Sequence, residues 1–198
     1  MKQACVVFET PATGAAKQSL LIRGLVEADV PAFFVLLQDK AVFDGCPDSL
    51  LATEDSVRAA VFGPAPMTRA LVAVVDGKLV GMATYYMIFS TFIMQPGLWL
   101  DDLYLDAAQR GKGTGRAMMT QLCAIANEHG CARVDWTVDS RNRDGRRFYA
   151  RLGATISGQL QLCRLDAAAI DRLAIEHAAS GTGAWPAAPS RPHLAGRT

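Results

Sequence analysis

Residues Leu98 to Gly130 constrain the fold of this chain more than any other stretch. They open with an apolar run that has acids set in it, Leu98-Trp99-Leu100-Asp101-Asp102-Leu103-Tyr104-Leu105, which reads as a largely buried strand. A polar turn, Asp106-Ala107-Ala108, leads into Gln109-Arg110-Gly111-Lys112-Gly113-Thr114-Gly115-Arg116. Beyond it Ala117, Met118, Met119, Leu122, Cys123, Ile125 and Ala126 recur at helical spacing as far as Gly130, which suits a helix stop.

The order strand, glycine-rich turn, helix has a physical use. A helix N-terminus leaves backbone N–H groups unpaired and carries partial positive charge. Glycines remove the side chains that would keep a phosphate away from those donors. Arg110, Lys112 and Arg116 add charge at the same spot, so Arg110, Gly111, Lys112, Gly113, Thr114, Gly115 and Arg116 read as a pyrophosphate cradle. Other phosphate motifs fit less well. Lys112-Gly113 does not sit in the Walker pattern, and the glycine spacing is Gly-x-Gly-x-Gly rather than the dinucleotide Gly-x-Gly-x-x-Gly. What fits is Arg110-x-x-Gly113-x-Gly115.

The 198 residues suffice for one domain with a sizeable core, and 51% hydrophobic against 20% charged residues point to a globular chain. A net charge of +1 gives no basic field, so no nucleic acid partner is expected. Five cysteines, an odd number without a Cys-x-x-Cys pair, argue against a disulfide framework or a zinc site. Cys123 falls on the apolar face of its helix and reads as a small buried hydrophobe. No metal is expected, and no apolar run reaches the ~18–20 residues that span a bilayer. The first residues are too short in their apolar part for a signal peptide, so the expected place is the cytoplasm.

In chain order, residues 1–18 read as an extension, loosely ordered or forming a short added strand. Leu20 to Leu25 is the first strand, and Asp29 with Pro31 opens a helix to about Val42. Thr53 caps a second helix that runs to about Phe62. Arg69 to Val75 and Leu79 to about Phe89 are strands joined by the hairpin signal Asp76-Gly77. A further connection is expected around Gln95-Pro96-Gly97, and a strand over Ala132 to Val138 after the cradle helix. A helix over Arg143 to Leu152, strands between Thr155 and Arg164, and a helix from Asp166 to about Ala178 complete the list. The result is one α/β (α+β) domain, residues 19–178, with a mixed, mostly antiparallel sheet flanked by helices, and a disordered tail over 179–198.

With these motifs in order, the chain resembles the Gcn5-related N-acetyltransferase (GNAT) superfamily over roughly residues 20–165. The resemblance is carried by Arg110-x-x-Gly113-x-Gly115, the strand before it, Asn142, and Phe148-Tyr149-x-x-Leu152-Gly153-Ala154. A narrower resemblance, to the spermidine/spermine and thialysine acetyltransferase branch, rests on Gly81 to Tyr86, Leu100 to Leu105 and the Phe148-Tyr149 run. It implies acetyl transfer from acetyl-CoA to a primary amine of a small cationic acceptor, within a homodimer. The resemblance gives the pyrophosphate to Arg110–Arg116 and the pantetheine arm to the backbone of Leu103, Tyr104 and Leu105. Asn142 is implied beside the pantetheine or as a helix cap. Tyr149 is implied as the acid for the leaving thiolate, and Asp101 as the carboxylate that takes the amine's proton. Phe43 and Asp44 stand where the branch holds its acceptor with Tyr-Glu, and Tyr85 or Tyr86 lines the site.

The chemistry agrees. An alkylammonium cannot attack until it loses a proton, and a nearby carboxylate both binds it and relays that proton. Asp101 and Asp102 adjoin in a strand, so they are expected on opposite faces. Trp99 and Trp136 read as core. The same enzyme with another acceptor, such as a protein N-terminus, a lysine, an aminoglycoside or an amino acid, and a non-catalytic acetyl-CoA sensor remain as alternatives.

Overall fold

The computed structural model describes residues 6–9 and 19–179. The strands β1 (Val6–Glu9), β2 (Ser19–Gly24), β3 (Arg69–Val75), β4 (Lys78–Ser90), β5 (Gln95–Leu105) and β6 (Val134–Asp135) form one sheet in that order. Every neighbouring pair is antiparallel except β5 and β6, which run parallel. The helices are α1 (Val30–Phe43), α2 (Glu54–Phe62), α3 (Thr114–Glu128), α4 (Arg143–Arg151) and α5 (Ala167–Ala179). The described residues fall into two compact units, one ending at Arg143 and the other beginning at Asp144.

In the first unit the sheet is apolar on both faces, as a central sheet sandwiched by helices demands. On one face Val30, Phe33 and Leu36 of α1 and Val57 of α2 bury themselves against Ala70, Val72, Val74 and Met82. Tyr85, Leu98 and Leu100 belong to the other face, where α3 packs with Met118, Met119, Leu122 and Ala126 buried. Met118, Leu122, Leu98 and Leu100 are all at most 1% exposed. Cys123 departs from expectation: it lies on the exposed side of α3, one residue beyond the buried stripe.

The capping chemistry is legible but redistributed. Thr53 caps α2 as read: its hydroxyl accepts the Ser56 N–H at 3.2 Å. Asp29 does not cap α1 through its side chain. Its carboxylate instead accepts the Val26 N–H at 3.0 Å and takes both terminal nitrogens of Arg23, tying β2 to the entry of α1. The Asp76-Gly77 turn forms as expected, with both residues at positive φ (49° and 80°). The next connection sits earlier than expected. β4 and β5 pair out to Ser90↔Gln95, so Pro96 and Gly97 lie in the strand opposite Phe89 and Ile88, and the turn is Thr91 to Met94. The strand expected over Ala132 to Val138 shrinks to Val134–Asp135, paired only with Leu98 and Trp99. Of the extension, β1 is the added strand; the other residues of 1–18, and the tail expected over 179–198 apart from Ala179 at the end of α5, lie outside the described residues.

In the second unit Tyr149 is buried on α4, its ring centroid 5.1 Å from that of Phe148. Gly153, at φ 90°, ends the helix turn, and the Ala154 N–H returns to the Tyr149 carbonyl at 3.1 Å. Asp166 Oδ1 accepts the Ala169 N–H at 2.8 Å and caps α5. The strands expected between Thr155 and Arg164 are absent: no described residue after β6 is in a strand. Ile156, Leu160 and Leu162 stay exposed, because an alternating apolar run becomes a strand only against a partner edge.

Asp29→Ala is expected to destabilise the protein by about 1–2 kcal/mol, since it removes a buried ion pair and a cap together. The Arg23 bonds hold the Asp29 carboxyl below its ordinary value, and the Val26 N–H adds to them against the cost of burial. Its contribution is therefore complete above about pH 4 and is lost as pH falls through the lowered value. Urea unfolding of wild type and variant at pH 7 and at pH 3 measures both: the gap between the two proteins should be smaller at the lower pH.

Candidate active site

The cradle forms as the glycines require. After Arg110, in extended backbone, Gly111 and Gly113 adopt left-handed conformations (φ 76° and 89°) that turn the chain into α3. No neighbouring atom lies within 4 Å of where a Cβ would stand on either, so backbone hand, rather than lack of room, selects glycine there. Gly113 is the N-cap and has no side chain to close the helix end. The first intrahelical bond is Ala117 N–H to Gly113 carbonyl at 3.0 Å, which leaves the amides of Thr114, Gly115 and Arg116 without helical partners. Thr114 is buried, whereas Arg110, Lys112 and Arg116 are exposed.

β5 leads into this loop with an open edge. Its parallel pairing to β6 stops at Trp99, so Leu100 to Leu105 have no strand partner on that side among the described residues. The carbonyl of Leu105 accepts Arg110 Nε at 3.1 Å. The Arg110 guanidinium lies over the Phe43 ring at 4.5 Å from its centroid and over Tyr104 at 5.7 Å. The two rings meet edge to face at 6.1 Å. The end of α1, the open strand and the cradle are thereby joined through one cation.

A bulge in β5 governs the acids. Thr84 stands opposite Asp102 but Tyr85 stands opposite Leu100, so Asp101 is the extra residue. Thr84 and Tyr86 share a face of β4, and their partners Asp102 and Trp99 therefore share it too. Asp101 turns to the same side. It accepts Trp99 Nε1 at 3.4 Å, and its charge adds to partial burial in pushing the Tyr86 hydroxyl above its ordinary pKa. The expectation that adjacent acids face opposite ways fails here, because it holds only for a regular strand. Trp99 is a wall of this face rather than core, stacked on Tyr86 at 6.5 Å between centroids.

Asp102 is held from two sides: Thr84 Oγ1 donates to Oδ2 at 3.2 Å, and Lys40 Nζ lies 2.8 Å from Oδ1. The same Lys40 ammonium pairs with Asp44, four residues on, at the end of α1. Burial lowers the affinity of Lys40 for its proton, but the bonds to Asp102 and Asp44 outweigh it and raise the pKa above the ordinary value. Phe43, Asp44, Asp101, Asp102, Tyr104 and Arg110 thus gather on the α1 side of β5.

Tyr85 does not join them. It is 5% exposed on the α3 face and lines a cleft of about 340 Å³ with Gln121, Ile125, Glu128 and His129. Tyr86, the other of the two alternating aromatics, stands on the α1 side in its place. Asn142 directly precedes α4, and its N–H donates to the Asp139 carbonyl at 3.0 Å. In that turn bonds from Arg141 hold the Asp139 carboxyl at about 2. Tyr149 lies in the second unit, as described above. The sequence reading missed Lys40. Its signal was the i, i+4 spacing to Asp44, but the pairing with Asp102 depends on the bulge.

An open strand edge thus runs into a glycine-rich helix N-terminus, on a mixed sheet covered by helices on both faces. Residues 27–154 match the acetyltransferase (GNAT) family, and the chain belongs to it. It is 28% identical over 144 residues to a thialysine N-epsilon-acetyltransferase of Sus scrofa, covering 69% of this chain and 84% of that protein. A spermine/spermidine N(1)-acetyltransferase of Bacillus subtilis is 30% identical over 88 residues, 43% of this chain and 58% of that one. Among solved structures, an integron cassette protein from the mobile metagenome of V. cholerae superposes with a TM-score of 0.65 at 25% identity, covering 78% of this chain and 97% of its own. The family uses acetyl-CoA as the acetyl donor. Among the described residues no helix is long and apolar enough to cross a membrane.

Gly113→Ala tests the cradle as a conformational device. With open space around the new methyl, the cost is that of the left-handed backbone alone, about 1–2 kcal/mol. Denaturant unfolding reads it, with the fold retained by circular dichroism.

Proposed function

We propose that this N-acetyltransferase acetylates a primary amine of a small cationic acceptor, of the polyamine, diamine or thialysine type, by direct attack on acetyl-CoA. The observation that carries this reading is the gathering of Asp44, Asp101 and Asp102 on one face of the open strand. Three carboxylates there suit an alkylammonium better than a neutral or acidic acceptor, and the thialysine and polyamine acetyltransferases among the relatives support it.

In this reading the amides at the start of α3, with Arg110, Lys112 and Arg116, hold the pyrophosphate. The free edge at Leu103, Tyr104 and Leu105 pairs with the pantetheine arm in the manner of an added strand. Bound in this way, acetyl-CoA supplies the activated acyl group. Asp101 is the acid whose partner, the Trp99 indole, is uncharged, so it is the one suited to bind the reacting ammonium and relay its proton. Phe43 and Tyr86 bound the same space. Tyr149 donates a proton to the departing thiolate, a role that rests on its place in the Phe148-Tyr149-x-x-Leu152-Gly153-Ala154 run. Asn142 stands beside the pantetheine or caps α4. The reading includes residues 19–178 as the catalytic domain, a homodimer, and the cytoplasm as the place of action.

Thiol release from acetyl-CoA, followed over putrescine, spermidine, lysine and thialysine, tests the proposal. Loss of the general acid in Tyr149→Phe, or of the relay in Asp101→Asn, should lower kcat by about 10²-fold or more while acetyl-CoA still binds. Faster acetylation of neutral or acidic amines would overturn the acceptor class. Light scattering on the purified protein should give twice the chain mass.

A further inference from the structure

The Lys40 side chain is itself a primary alkylammonium, and it sits in the acidic face beside the place proposed for the acceptor. Its Nζ lies 2.8 Å from Asp102 Oδ1 and pairs with Asp44 Oδ2. The Lys40 and Asp102 side chains are only 22% and 23% exposed, so the pair is sheltered from water and salt. Asp102 is fixed further by Thr84. Asp101, by contrast, has the uncharged Trp99 indole as partner and is exposed. Of the three acids, Asp44 and Asp102 share a single cation.

The consequence concerns the far end of the acceptor. A diamine has a reacting amine and a distal ammonium. With the reacting amine at Asp101, the carboxylates suited to a distal ammonium are Asp44 and Asp102, and Lys40 occupies both. A distal cation there meets one net negative charge in place of two, with the Lys40 ammonium beside it as a like charge, so its pairing is weakened.

We propose that Lys40 is a specificity-determining residue that stands in part for the acceptor's distal ammonium, so that it lowers the site's preference for diamines and polyamines over amines of the same length whose far end is not cationic. This deepens the acceptor assignment above and rests on it. Lys40 touches no reacting atom. It acts by holding two carboxylates that would otherwise recruit a second cation.

The measurement compares kcat/KM for putrescine and butylamine, which differ by one distal ammonium. In Lys40→Met, which keeps the length of the stem, the putrescine-to-butylamine ratio should rise about tenfold, the effect of one gained charge pair. Lys40→Arg, which retains the cation, should keep the wild-type ratio. Lys40→Gln serves as a second neutral variant should the methionine variant fold poorly. If Lys40 only braces α1 against β5, the neutral variants lose stability with no change of ratio, and the proposal is overturned. If wild type turns over neither these two amines nor spermidine, lysine and thialysine, the acceptor assignment fails separately. Calorimetric titration with putrescine then still decides about Lys40: tighter binding by about tenfold in the neutral variants supports it, and equal binding refutes it.

Discussion

The early end of the β5–β6 pairing is the constraint on which the rest of the first unit depends. A parallel strand beside β5 would satisfy the backbone of Leu100 to Leu105 and close the edge. Because β6 pairs only at Leu98 and Trp99, that edge leads, with its polar groups free for a ligand, into the turn before α3. An extended arm that pairs with this edge arrives at a helix N-terminus whose amides are unmatched. The same segment presents acids on its α1 side, so donor and acceptor requirements meet along one strand.

Arg110 connects these requirements. Its Nε holds the end of β5 while its guanidinium covers Phe43 and Tyr104. The cation that opens the cradle is therefore packed against the helix that carries Lys40 and Asp44. The end of α1 and the cradle loop are joined directly by the Arg110 guanidinium over these two rings.

Much of this was legible in residues whose chemistry is local. Gly111 and Gly113 announce left-handed turns, Asp76-Gly77 a hairpin, and Thr53 a helix start, because each acts on its own backbone. The turn at Thr91 to Met94 was not legible: it has no glycine or proline, and Met94 itself takes φ 49°. The facing of the paired acids was missed for a different reason. Facing is counted by parity along a strand, and one extra residue at Asp101 resets the count for everything after it. The run Thr155 to Arg164 has the alternation of a strand, but alternation describes a surface and does not supply the partner that makes it a ladder.

Asp101 is also the one residue of β5 that the sheet does not need. Without it Leu100 and Asp102 would stand next to each other opposite Tyr85 and Thr84, a ladder with no interruption. A single-codon deletion would thus repair the hydrogen bonding of the strand and erase its most accessible carboxylate in the same event.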